Sequence, residues 1–224
     1  MSRWEALHAS TPRRLTFLQA VLDIGTGTGK TPAPLALGFY RLLELTLVYN
    51  RHLGHVILLP IHSMFLRSLL SVRSPKSVSD FAEAYPDCQV TATELSLMQP
   101  SWVPANLKFE IDDATLPWTW ADDSFNFVHM RLLSGAIADW AALFRQAYRC
   151  CKPGGWVQSG DVDAIFESDD GTLDANPVLV KWNEMYREAS RKISRSFTVV
   201  SDDLQSKGIE EAGFADITVV NLKV

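Results

Sequence analysis

A chain of 224 residues, 47% apolar and 21% charged, can bury one domain-sized core and is not composed like a disordered segment. A net charge of −5 argues against nucleic acid as a direct partner, and no uninterrupted apolar run approaches the roughly 20 residues of a membrane span. Cys88, Cys150 and Cys151 have neither metal-ligand spacing nor the even count of a disulfide set, and the start lacks a signal peptide's apolar core. These features lead us to expect a cytoplasmic or nuclear protein without a metal site.

Residues 1–19 carry Arg3, Arg13 and Arg14 and a weak apolar pattern that suits a helix ahead of the first strand. Ala20-Val21-Leu22-Asp23-Ile24 then reads as a buried parallel strand, and Gly25-Thr26-Gly27-Thr28-Gly29 as the tight loop that ends it. Such a loop after the first strand of an open α/β sheet lets a nucleotide-like cofactor approach the backbone closely. A plain glycine-rich turn is the bland alternative. Three nucleotide patterns compete here. Gly29-Lys30-Thr31 supplies the second half of a P-loop, but Ile24 occupies the place of its first glycine. The dinucleotide fingerprint needs G-x-G-x-x-G, whereas the spacing here is G-x-G-x-G. Asp-x-Gly-x-Gly-x-Gly resembles motif I of the class I methyltransferases that use S-adenosylmethionine (SAM).

A leucine-rich stretch with Pro32 and Pro34 at its start follows, where a helix aimed at the ligand is expected. About 65 residues separate Gly29 from Glu94, against roughly 20 in a compact βαβ unit, so residues 30–76 read as an insertion. Two explanations compete: an intron retained in frame, since Gly29-Lys30 is what a glycine codon overlapping a common donor sequence encodes, and a lid or partner-binding segment. His52, His55 and His62 lie within it with no carboxylate or cysteine at ligand spacing.

Regular patterning resumes with a helix ending near Pro86 and a second strand, Gln89–Glu94, closed by the acidic residue that nucleoside-binding sheets place on ribose hydroxyls. A surface carboxylate is the simpler reading of Glu94. Leu107, Phe109 and Ile111 alternate as a third strand, and Phe125–Arg131 forms a fourth. The pairs Asp112-Asp113 and Asp122-Asp123 both sit in turns, where aspartate is common without catalysis. Residues 135–151 suit an amphipathic helix whose aromatics face a core, and Lys152-Pro153-Gly154-Gly155 breaks it before a fifth strand starting at Trp156. Asp161 and Asp163 fall at the end of that strand. Residues 177–195 read as a helix capping the substrate, 202–212 as another helix, and 217–222 as a last strand.

Leu22–Gly29, Gln99–Pro104, Phe109–Ala114, His129-Met130-Arg131 and Cys151–Trp156 occur in the order seen in the LaeA-like fungal methyltransferases, a class I branch that includes regulators of secondary metabolism. Residues 20–29 and 78–224 resemble that family. The resemblance implies a doubly wound, mostly parallel, Rossmann-like α/β sheet in one domain, lacking the final strand of the C-terminal sheet. It implies SAM as cofactor, with Asp23, Gly25, Gly27 and Gly29 along the methionine part, Glu94 at the ribose, Asp112 and Asp113 at the adenine, and Thr26 and Leu95 completing the cofactor-binding set. Met130 and Arg131 would border the pocket. The methyl acceptor is left open between small molecule and protein, and regulatory protein partners are implied. Methyl transfer from a sulfonium needs positioning and exclusion of water more than an acid or base, so no catalytic residue is assigned. A non-catalytic protein of the same fold, acting through protein contacts, is the alternative.

Overall fold

The computed structural model describes residues 19–25, 77–96 and 102–220. The reading of residues 1–18, Thr26, Gly27, Gly29, the 30–76 insertion and its histidines, and 221–222 lies outside them. The described elements are β1 (Ala20–Ile24), α1 (Ser77–Ala84), β2 (Gln89–Glu94), β3 (Leu107–Ile111), β4 (Phe125–Arg131), α2 (Trp140–Cys150), β5 (Cys151–Gly160), α3 (Pro177–Ile193) and α4 (Leu204–Glu211). The five strands form one sheet, every pair parallel, in the order β3-β2-β1-β4-β5. This is the expected α/β architecture.

β1 is buried on both faces and, apart from Asp23, apolar, because both faces are covered, as parallel sheets require. On one face Val21, Val90, Leu107, Phe127 and Trp156 pack under Val78, Phe81 and Ala82 of α1. On the other, Leu22, Ile24, Val128, Met130 and Val157 meet Trp140, Leu143, Phe144 and Ala147 of α2 and Ile209 of α4. The cysteines are buried and reduced, no metal-holding cluster occurs among the described residues, and no described helix is long and apolar enough to cross a membrane.

Three boundaries differ from the sequence reading. α2 starts at Trp140 instead of 135, because residues 134–136 form a turn and Asp139 caps the helix, accepting from the Ala142 amide at 2.8 Å. β5 starts at Cys151 instead of Trp156. Cys151 pairs with Phe125 and Trp156 with Phe127, so residues 152–155 bulge out of an otherwise continuous strand. Gly155 makes this possible: a Cβ there would lie 2.7 Å from Cys151 Sγ and 2.8 Å from the Lys152 carbonyl. The expected last strand does not form over residues 217–220. They join no ladder, and Val219 is 47% exposed, so the β-branched run lacks the cross-strand neighbours that give such residues their preference for strands.

The loops beyond β4 and β5 are knitted to a segment before α4. The Leu132 amide donates to the Gly160 carbonyl (3.0 Å), Gly135 to Ser196 (2.7 Å) and Ala164 to Phe197 (2.8 Å). Two buried aspartates fasten the join. Asp161 accepts from the amides of Leu133 (2.8 Å) and Val162 (2.9 Å), and Asp163 from those of Val200 (2.9 Å) and Ser201 (3.0 Å) and from the Ser201 hydroxyl. Burial pushes the Asp161 carboxyl up to about 6 against the opposing pull of these amides, and raises Asp163 as well.

Gly155→Ala should therefore cost about 1–3 kcal/mol in urea unfolding, since the bulge has no room for a methyl group. Asp161 makes a pH prediction. Its folded carboxyl holds a proton more tightly than the unfolded chain does, so its contribution is most favourable near pH 4 and declines as pH rises to about 6. Between pH 4 and 7 the stability of the wild type should drop by about 2 kcal/mol relative to Asp161→Asn, read from paired unfolding curves.

Candidate binding site at the carboxyl edge of the sheet

The strand order reverses at β1, whose neighbours β2 and β4 carry the chain in opposite directions. Connections leaving the carboxyl ends at such a switch point diverge to opposite faces and leave a crevice. Gly25 is the first residue beyond β1. Its φ of +72° suits glycine, its amide donates to the Thr93 carbonyl at 3.2 Å, and a Cβ would lie 2.7 Å from Leu133 Cδ2. The start of the glycine loop is thus held against β2 on one side and the loop after β4 on the other. That loop opens with Leu132 at φ +55°, a strained conformation for a leucine, kept by the bond to Gly160.

The sheet brings the predicted acidic residues to this one edge. Asp23 is the fourth residue of β1 and Glu94 the last of β2; Asp112 follows β3, its amide bonded to the Glu94 carbonyl at 3.2 Å. Glu94 Oε1 accepts from the amide of Leu95, whose side chain is exposed. Asp112 accepts from the Asp113 amide at 2.8 Å. Asp113 accepts from the Thr115 hydroxyl (2.7 Å) and amide (2.9 Å), which hold its carboxyl below the usual range. Arg131 ends β4, half-buried. Met130 is fully buried, so its side chain belongs to the core beside Ile24 and does not border the crevice. Asp122, in the other acidic pair, accepts from Arg149 at 2.7 Å and lies in the turn before β4, at the opposite edge.

Two residues that the sequence reading leaves without a role also matter here. Asp23 is aligned with His129 on β4, and His129 with Gln158 on β5. Residues in register point to the same face, so the three form a row across three strands. Asp23, His129 and Gln158 are 7%, 5% and 3% exposed, and Asp23 Oδ1 lies 2.6 Å from His129 Nδ1. The Phe127 ring stacks on the imidazole, 6.3 Å between centroids. Gln158 Nε2 is buried with no partner among the described residues, a condition that costs about 1–3 kcal/mol. The sequence signal for this row is a polar residue at an inward position of an otherwise apolar parallel strand, Phe127-Val128-His129-Met130.

The expected capping helix is α3. It is fastened to the segment leaving β5: Trp182 Nε1 donates to the Ala164 carbonyl at 2.9 Å, and the Asn183 amide both accepts from and donates to the Phe166 backbone at 2.8 Å.

Comparison with known proteins shows what the chain is similar to. The chain is 33% identical over 207 residues to a methyltransferase, pytC, of Aspergillus terreus, covering 92% of this chain and 49% of that protein. It is 30% identical over 147 residues to the secondary metabolism regulator LAE1 of Cochliobolus heterostrophus, covering 65% of this chain and 47% of the relative. It therefore spans about half the length of the curated relatives it matches. Among solved structures, a Haemonchus contortus phosphoethanolamine N-methyltransferase in complex with S-adenosylhomocysteine superposes with a TM-score of 0.49 at 16% identity, over 89% of this chain and 34% of that one. The profile of the methyltransferase domain family matches residues 8–219, and the chain belongs to that family.

Proposed function

We propose that this chain is a SAM-dependent methyltransferase domain of the LaeA-like branch, linked to the regulation of secondary metabolism. The carrying observation is the convergence of Asp23, Gly25, Glu94 and Asp112 on one carboxyl edge at the switch point between β1 and β4. The residues suit the cofactor. Gly25 presents bare backbone where a side chain would collide with Leu133, and the surrounding carboxylates can pair with the ammonium, ribose hydroxyls and adenine amine of SAM.

When bound, SAM supplies an activated methyl group on a sulfonium. The chain's own part is placement. Asp23 and Gly25 hold the amino-acid end, Glu94 and Leu95 the ribose, and Asp112 with Asp113 the adenine. Arg131 and Leu132, at the end of β4, face the acceptor side. The methyl acceptor, a small molecule or a protein, enters near the ends of β4 and β5, where α3 is fastened. The domain works in the cytoplasm or nucleus and is accompanied by regulatory protein partners; the regulatory part of this reading is supported by a relative named a secondary metabolism regulator.

Calorimetric titration tests the reading. SAM should bind the full chain, and Gly25→Ala should weaken binding about tenfold or more, because it adds a strained φ and a contact that the Leu133 side chain must move to relieve. Glu94→Gln should weaken binding about tenfold, by about 1.4 kcal/mol. A version lacking residues 30–76 tests the insertion. Binding by that version alone would identify the segment as an interruption of the site. A folded chain that binds SAM in neither form would be a non-catalytic member of the family.

A further inference from the structure

On the α1-facing side of the sheet, the row Val21–Phe127–Trp156 is apolar, and the next row toward the carboxyl edge is polar on β1, β4 and β5, as Asp23–His129–Gln158, and apolar at Ala92 on β2. Burying polar side chains in a parallel sheet is unfavourable unless they are hydrogen-bonded; Asp23 and His129 bond each other, and Gln158 Nε2 has no partner among the described residues. The change of character occurs where β1 and β4 open the crevice, one residue before Gly25 turns out of the sheet. We infer that His129 is a positioning residue for the amino-acid end of the cofactor, acting through Asp23.

This inference rests on the cofactor reading above. A carboxylate only accepts, so the 2.6 Å contact makes His129 Nδ1 the donor. The Phe127 ring limits the rotation of the imidazole, and the imidazole in turn limits that of the carboxylate. The result is a carboxylate held in one orientation two residues before Gly25, suited to the ammonium of the methionyl group. Gln158 extends the row on β5 and brings a buried donor without a protein partner among the described residues.

Two adenosine ligands separate this role from a structural one. S-adenosylhomocysteine and 5′-methylthioadenosine share the nucleoside and a neutral thioether, and only the first carries the amino-acid end. Both would be titrated calorimetrically into the full-length wild type, His129→Asn and His129→Gln. An asparagine amide stands near the position of Nδ1, while a glutamine amide reaches toward Nε2 instead. His129→Gln should weaken S-adenosylhomocysteine about tenfold or more and leave 5′-methylthioadenosine within about twofold, with His129→Asn recovering most of the loss. Equal weakening of both ligands, equal behaviour of the two variants, or no weakening at all would overturn the inference. A wild type that binds neither ligand would overturn the cofactor reading itself, and the positioning role with it.

Discussion

β1 is hydrogen-bonded in parallel on both sides, to β2 through residues Ala20–Ile24 and to β4 through Val21–Ile24, and this double pairing fixes nearly everything else. Parallel strands all end on the same edge, so the residues that close β1, β2, β3 and β4 must meet there whatever their separation in sequence. The same pairing buries β1 on both faces, which is why Val21, Leu22 and Ile24 are at most 2% exposed. A short strand held this way is a rigid base for the loop that follows it. Gly25 inherits that rigidity through its bond to Thr93 and its contact with Leu133.

The polar row Asp23–His129–Gln158 runs against the logic of the sheet around it. Each member sits where a β-branched or aromatic residue would pack better, and Gln158 leaves a buried amide without a protein partner among the described residues. Fold stability alone gives no reason for the arrangement. The recognition of a charged ligand proposed above does, because an oriented, buried carboxylate acts more strongly than one in water. Functional sites are where local rules of packing are expected to fail.

On the other side of the crevice the chain uses backbone bonds and buried aspartates to hold three loops together. Asp161 and Asp163 each tie β5's end to a distant segment, one to the loop after β4 and one to the turn before α4. Their raised carboxyls show that burial outweighs the amides donated to them. The cost is borne where the loops must keep a fixed relation to the glycine loop, since Leu133 is both bonded to Asp161 and packed on Gly25. Asn183 repeats the device for α3, using one side-chain amide to satisfy both backbone groups of Phe166.

Much of this was legible in the residues themselves. Ala20–Ile24, Gln89–Glu94, Leu107–Ile111 and Phe125–Arg131 form strands where apolar runs or alternation place them, because local pattern decides whether a segment can be buried in a sheet. Gly25 after Asp23, and the acidic residues closing the second and third strands, share one edge because parallel strands end together. Other features depended on partners far away in the sequence. Residues 217–220 have strand composition but no ladder to join, and Cys151 enters β5 only because Phe125 pairs with it across a bulge. Met130 stood next to Arg131 in the sequence, yet the pleat sends it into the core. His129 and Gln158 join Asp23 in one row through register alone, from separate strands. The sequence by itself determined which segments could be strands and which edge they would share; only the tertiary structure decided which side chains face one another across that edge, because register is set by long-range pairing and not by local pattern.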